Sequence, residues 1–123
     1  MSANKVAATN FLKMSASGRA REAFKQYAAE SFVHHNPHFP HTAEALMTAM
    51  DENARQNPGK RLDILRVLAQ DDLVAVHSRV QHSPADRGAA LVHIFRFQDG
   101  RVVELWDIAQ LVQDDMKNEK GMF

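Results

Sequence analysis

Cysteine is absent from this chain of 123 residues. That removes disulfides, thiolate nucleophiles, iron–sulfur clusters and cysteine zinc sites together, and it agrees with a reducing, cytoplasmic compartment. Glycine is scarce, at five residues, and no Gly-rich phosphate cradle can be traced. Charge of one sign is not in excess: Lys plus Arg is 15 and Asp plus Glu is 15. A phosphate backbone is offered no cationic surplus, so nucleic acid is not an expected partner. Long apolar runs are missing as well. No window approaches the roughly 18 residues of a membrane span, and Asn4, Lys5, Asn10 and Lys13 interrupt the first fifteen residues where a signal peptide would be continuous. A soluble protein without a membrane partner is expected. Neither G-x-S-x-G nor a Ser-His-Asp grouping is present, which leaves nucleophilic hydrolysis without support. With no repeat, low-complexity tract or Pro/Gly/Ser linker, residues 1–123 read as one domain, and 45% apolar residues suffice for its core.

What is present changes periodicity once. Up to about residue 57 the pattern is helical. Val6, Ala7, Asn10, Phe11 and Met14 form one stripe, broken by Ser15 to Gly18; Ala20, Ala23, Phe24 and Tyr27 mark a second helix from about Arg19 to Ala29. Phe32 to His41 contains Pro37 and Pro40 and is expected to be a loop or a short extended piece. Thr42 then offers an N-cap for a third helix bearing Leu46, Met47 and Met50, which Asn57-Pro58-Gly59 ends. From Arg61 the chain reads as four strands: Leu62 to Ala69, Leu73 to His82, Ala89 to Phe97 and Arg101 to Val112. Short connections make these an antiparallel meander. Helices followed by a meander give an α+β fold, with a cavity between the two layers.

The Gln98-Asp99-Gly100 turn decides which side chains share a face. A two-residue turn pairs Gln98 with Arg101 and separates His93 from Asp107. A three-residue loop with Gly100 in a bulge pairs Phe97 with Arg101 and brings His93 and Asp107 to one side as diagonal neighbours. The second alternative is preferred because it sorts Leu91, His93, Phe95, Val103, Leu105, Asp107, Ala109 and Leu111 onto one face, mostly apolar with two ionisable groups. The opposite face then carries Val92, Ile94, Arg96, Val102, Glu104, Trp106 and Ile108, a candidate dimer surface.

With the segment Phe32-Val33-His34-His35-Asn36-Pro37 and the hairpin from Val92 to Trp106-Asp107 in view, the chain resembles the SnoaL-like polyketide cyclase family of the nuclear-transport-factor-2-like (NTF2-like) superfamily, from about Lys5 to Gln110. The resemblance implies a cone-shaped fold, three N-terminal helices packed on a strongly curved antiparallel sheet, homodimeric through its outer face. It also implies an intramolecular aldol closure without metal or organic cofactor, with an acid/base Asp at position 107 and a pocket His at position 93. Leu105 departs from the family pattern, which has a second His there.

Proton abstraction beside a carbonyl needs one base and donors aimed at the enolate oxygen. Asp107 is the candidate base and His93 its hydrogen-bond partner. His35, Asn36, Leu91, Phe95, Leu105 and Met47 are expected to contact a small-molecule substrate; of His35 and Asn36, one faces the pocket while His34 packs or is solvated. The run His34, His35, His38 and His41 invites a metal, but Pro37 and Pro40 dictate its backbone and no carboxylate lies within it, so no metal is expected. Asp63, Arg79 and Asp107 could be drawn as the two carboxylates and bridging Arg of the fold's epoxide-hydrolase relatives. The reading is an enzyme of the aldol-cyclase or isomerase type; the alternative is a non-catalytic small-molecule-binding or dimeric interaction module. The tail from about residue 113 is expected to be frayed or docked on a partner subunit.

Overall fold

The computed structural model describes residues 2–123. Helix α1 (Ala3–Ala16) is capped by Ser2, whose side chain accepts from the Lys5 amide, and α2 (Ala20–Tyr27) follows after Gly18 turns the chain at positive φ. Strand β1 (Ala28–His34) precedes α3 (Ala43–Gln56), where Thr42 caps the Ala45 amide as expected from sequence. Strands β2 (Arg61–Gln70), β3 (Leu73–Gln81), β4 (Ala89–Gln98) and β5 (Arg101–Leu111) then run as a meander. The helices cover one face of a five-stranded sheet of order β1-β5-β4-β3-β2.

Two features depart from expectation. The segment after α2, read as the end of a helix and then, from Phe32, a loop or a short extended piece, is extended as strand β1, which pairs with β5 in parallel and makes the sheet mixed. A parallel partner so distant in sequence leaves no hairpin signal. The β4–β5 turn, meanwhile, has two residues: Gln98 pairs with Arg101, and Asp99 and Gly100 both take positive φ. A bulge on β5 between Val102 and Glu104 then inserts one residue. Beyond it His93 stands directly opposite Asp107, on the same face, closer than the diagonal placement drawn from the three-residue loop. The bulge also turns Val102 into the core, instead of outward, while Leu111 at the strand's end is 71% exposed. A second irregularity in β2, between Ile64 and Arg66, bends the other edge.

The core lies between the helices and the sheet's concave face. Phe11 of α1 packs on Phe24 of α2 at 4.9 Å and edge-on against Phe95 of β4 at 5.7 Å, with Leu46, Val76 and Leu105 fully enclosed around them. Asp51 of α3 accepts from the Ala20 amide at 3.0 Å, satisfying one of the free N–H groups at the start of α2. No helix is long and apolar enough to cross a membrane among the described residues.

Candidate functional site

The core does not fill the space under the helices. Toward the open end of the sheet a cavity of about 360 Å³ remains, walled by Leu12, Leu46, Met50, Leu62, Val80 and Leu91, with a few polar groups among them. That size and composition suit a small organic molecule. His93 and Asp107 form part of its floor, and Asn36 and Phe39 part of its rim.

Asp107 is half-buried, and its Oδ2 accepts a 2.8 Å hydrogen bond from the side-chain amide of Asn36. The orientation of that amide is itself determined: Asn36 Oδ1 accepts from the His38 amide at 2.9 Å, which leaves the NH2 for the carboxylate. Behind it stands His34, 3% exposed at the end of β1. Its Nδ1 accepts from the Asn36 amide at 3.1 Å, and its Nε2 lies 2.6 Å from the Pro40 carbonyl oxygen, to which it donates. With one nitrogen accepting and the other donating, the ring is a neutral structural bridge across the Asn36–Pro40 loop. The His34 amide, bonded to the His41 carbonyl at 3.2 Å, closes the same loop from the main chain.

His93, 6% exposed, is different. Its Nδ1 is shut off from solvent without a hydrogen-bond partner, and no hydrogen bond or ion pair joins the ring to Asp107. Nε2 is thus the nitrogen open to the cavity. Burial pushes the imidazole below its ordinary pKa; the Asp107 carboxylate opposes this and the Lys60 ammonium reinforces it. The expected direct bond between His93 and Asp107 is therefore not formed; the side-chain bond to the carboxylate comes from Asn36.

Of the expected contact residues, Asn36 and Leu91 line the cavity. His35 does not: alternation along an extended chain sends it to the outer face, where Nε2 meets Glu104 at 2.6 Å and the ring stacks on Trp106 at 5.2 Å. Phe95 and Leu105 are fully buried beneath the floor, and Met47 packs in the core while its neighbours Leu46 and Met50 reach the cavity. Asp63 and Arg79 face each other on the outer side, across the sheet from Asp107, so the two-carboxylate arrangement is not assembled. His77 shares that outer side, with Arg66 at 2.9 Å. The tail returns to its own chain there: Phe123 stacks on His77 and lies under the Arg79 guanidinium, whose carbon is 5.0 Å from the ring centroid. No three His, Asp or Glu side chains converge as a metal site among the described residues.

Sequence reasoning passed over Ser15, Asn53, Lys60 and His82, all of which line the cavity. Lys60 Nζ donates to Asn53 Oδ1 at 2.6 Å, and burial lowers its pKa from the usual lysine range. A lysine after Pro58-Gly59 has no local mark that separates it from a solvated turn residue; the turn from α3 into β2 folds it back onto Asn53 at the cavity lining.

The comparisons agree with this architecture. The family model described as a SnoaL-like domain matches residues 8–105, ending two residues before Asp107. Among solved structures, AclR of Streptomyces galilaeus, a candidate hydroxylase, superposes with a TM-score of 0.73 at 20% identity, covering 87% of this chain and 88% of that one. A candidate isomerase of the SnoaL-like family from Agrobacterium tumefaciens gives 0.72 at 15% identity, with coverages of 89% and 99%. A candidate polyketide cyclase from Bacillus cereus gives 0.72 at 22%, with coverages of 84% and 71%. At such identities the likeness to these structures is one of fold. No curated protein sequence matches this chain. Three helices on a curved mixed sheet, together with a family match over most of its length, show that the chain belongs to the SnoaL-like family.

Proposed function

We propose that the protein is a small enzyme that needs no cofactor and abstracts a proton next to a carbonyl group of an apolar small molecule, as an isomerase or aldol cyclase does. The observation that carries this reading is the cross-strand pair of His93 and Asp107 on the floor of a largely apolar cavity. Asn36 holds Oδ2 of Asp107, leaving Oδ1 as the base. The carboxylate takes the α-proton, the C–H electron pair becomes the carbon–carbon bond of an enolate, and the carbonyl π pair moves onto oxygen. His93, kept neutral by burial, offers Nε2–H to that oxygen, an electrophile that carries no charge of its own. The proton then returns at another carbon, or the enolate carbon closes on a second carbonyl.

The test is solvent exchange at carbon. With 2-tetralone in D2O, followed by NMR, the protein is expected to accelerate exchange of the α-protons, and Asp107→Asn is expected to reduce that acceleration by about 10²-fold or more. Equal exchange by the variant and the parent would remove Asp107 from the role. The second reading, a binding module without turnover, draws on Leu105, whose burial leaves the floor one polar group poorer than the family pattern. Ligand binding without exchange would favour it.

The reading includes a homodimer in the cytoplasm, formed through the outer sheet face around Ile94, Trp106 and Ile108, the last 57% exposed. Sedimentation that finds a monomer at high concentration would overturn the dimer.

A further inference from the structure

We propose that Lys60 is an anion-recognition residue and that the ligand of this cavity carries a carboxylate, which pairs with Lys60 Nζ while the apolar, carbonyl-bearing part of the molecule lies over His93 and Asp107. The orientation of the carbonyl part rests on the enzyme reading above; the charge preference does not.

Two observations carry the assignment. Lys60 lines the cavity, half-buried, and pairs with no carboxylate among the described residues. Its one partner, Asn53 Oδ1, is a neutral oxygen that occupies one of three N–H donors and cancels none of the charge. Secondly, the two carboxylates that share a lining with Lys60 are engaged elsewhere. Asp51, which borders the adjoining groove with Lys60, accepts from the Ala20 amide, and Asp107 accepts from Asn36.

An ammonium with unused donors on the lining of a largely apolar cavity is complementary to a carboxylate. The lowered pKa of Lys60 has the same origin: burial costs the charged form, and an incoming anion would offset that cost. Of the two histidines on the lining, His93 is kept neutral by burial and His82 already has Asp86 beside it at 3.7 Å. Lys60 is thus the basic group of the lining best placed to receive a negative charge.

Binding of 2-naphthoate and of its neutral isostere 2-naphthamide, measured by calorimetry, tests the proposal without requiring turnover. The parent protein is expected to bind the carboxylate about tenfold or more tightly than the amide. Lys60→Met should abolish that preference and leave the amide's affinity within about twofold, since the apolar walls are retained. Lys60→Gln, which keeps a donor for Asn53, should lose the preference equally, and Lys60→Arg should keep it in part. Asp107→Asn should leave the preference in place, so loss of exchange at carbon and loss of charge selection are separable failures. Equal affinity for the two compounds, a preference that survives Lys60→Met, or no binding of either would overturn the assignment.

Discussion

Two imidazoles are buried to nearly the same depth in this protein, His34 at the end of β1 and His93 in the middle of β4, and their surroundings are opposite. Both nitrogens of His34 are bonded to main-chain groups of one loop. His93 has a walled-off Nδ1 with no partner and an Nε2 facing the cavity. Burial alone therefore says little about a histidine; what its nitrogens meet divides scaffold from chemistry. A satisfied ring is stabilising and hard to replace, whereas an unsatisfied one costs stability and is retained for another reason.

That contrast can be broken by experiment. The largest effect should come from His93→Leu: exchange at carbon falls by about 10²-fold or more as the enolate loses its donor. Denaturant unfolding should show the same variant as stable as the parent, or more so, because a partnerless nitrogen has been removed. If His93→Leu unfolds the protein instead, the two rings are alike and the distinction fails. His34→Leu should behave in reverse. It strands the Asn36 amide and the Pro40 carbonyl, and a loss of about 2–4 kcal/mol is expected from two unpaired groups in a partly buried setting. Asn36→Ala isolates the link between the regions. It frees Asp107 Oδ2 and should lower exchange about tenfold with little change in the unfolding midpoint, on the scale of one charge-assisted hydrogen bond.

The smallest effect is on pH dependence. Burial lowers the native pKa of His93 below its ordinary 6.5, so the unfolded chain binds a proton that the native state refuses. Stability from this group is complete above about 6.5 and is lost as pH falls through the window down to the native pKa. A denaturation series across that window should slope downward with acid in the parent and be flatter in His93→Leu; parallel curves would show that His93 does not titrate abnormally.

The helices and the meander were legible because their signals are local: the Thr42 cap, the Pro58-Gly59 stop and the switch to β-branched runs each act within a few residues. The shared face of His93 and Asp107 was legible for a subtler reason. A bulge at Val103 adds one residue to β5, as a longer loop would have, so alternation places both side chains on the same side by either route. The mistake about the turn thus left the floor intact but misplaced Val102 and the exact pairing. Strand β1, the outward swing of His35 and the inward reach of Lys60 were not legible. The first two depend on partners far along the chain, β5 for the strand and Glu104 and Trp106 for His35; the third depends on Asn53, seven residues back across the α3–β2 turn, a pairing that no residue pattern marks.

The loop that carries Phe39 is stapled to a single ring at both ends of a five-residue span, Asn36 to Pro40. A doorway tied at both jambs has less freedom to change its outline than an open loop. On the proposed reading, a guest is expected to fit the frame as it stands.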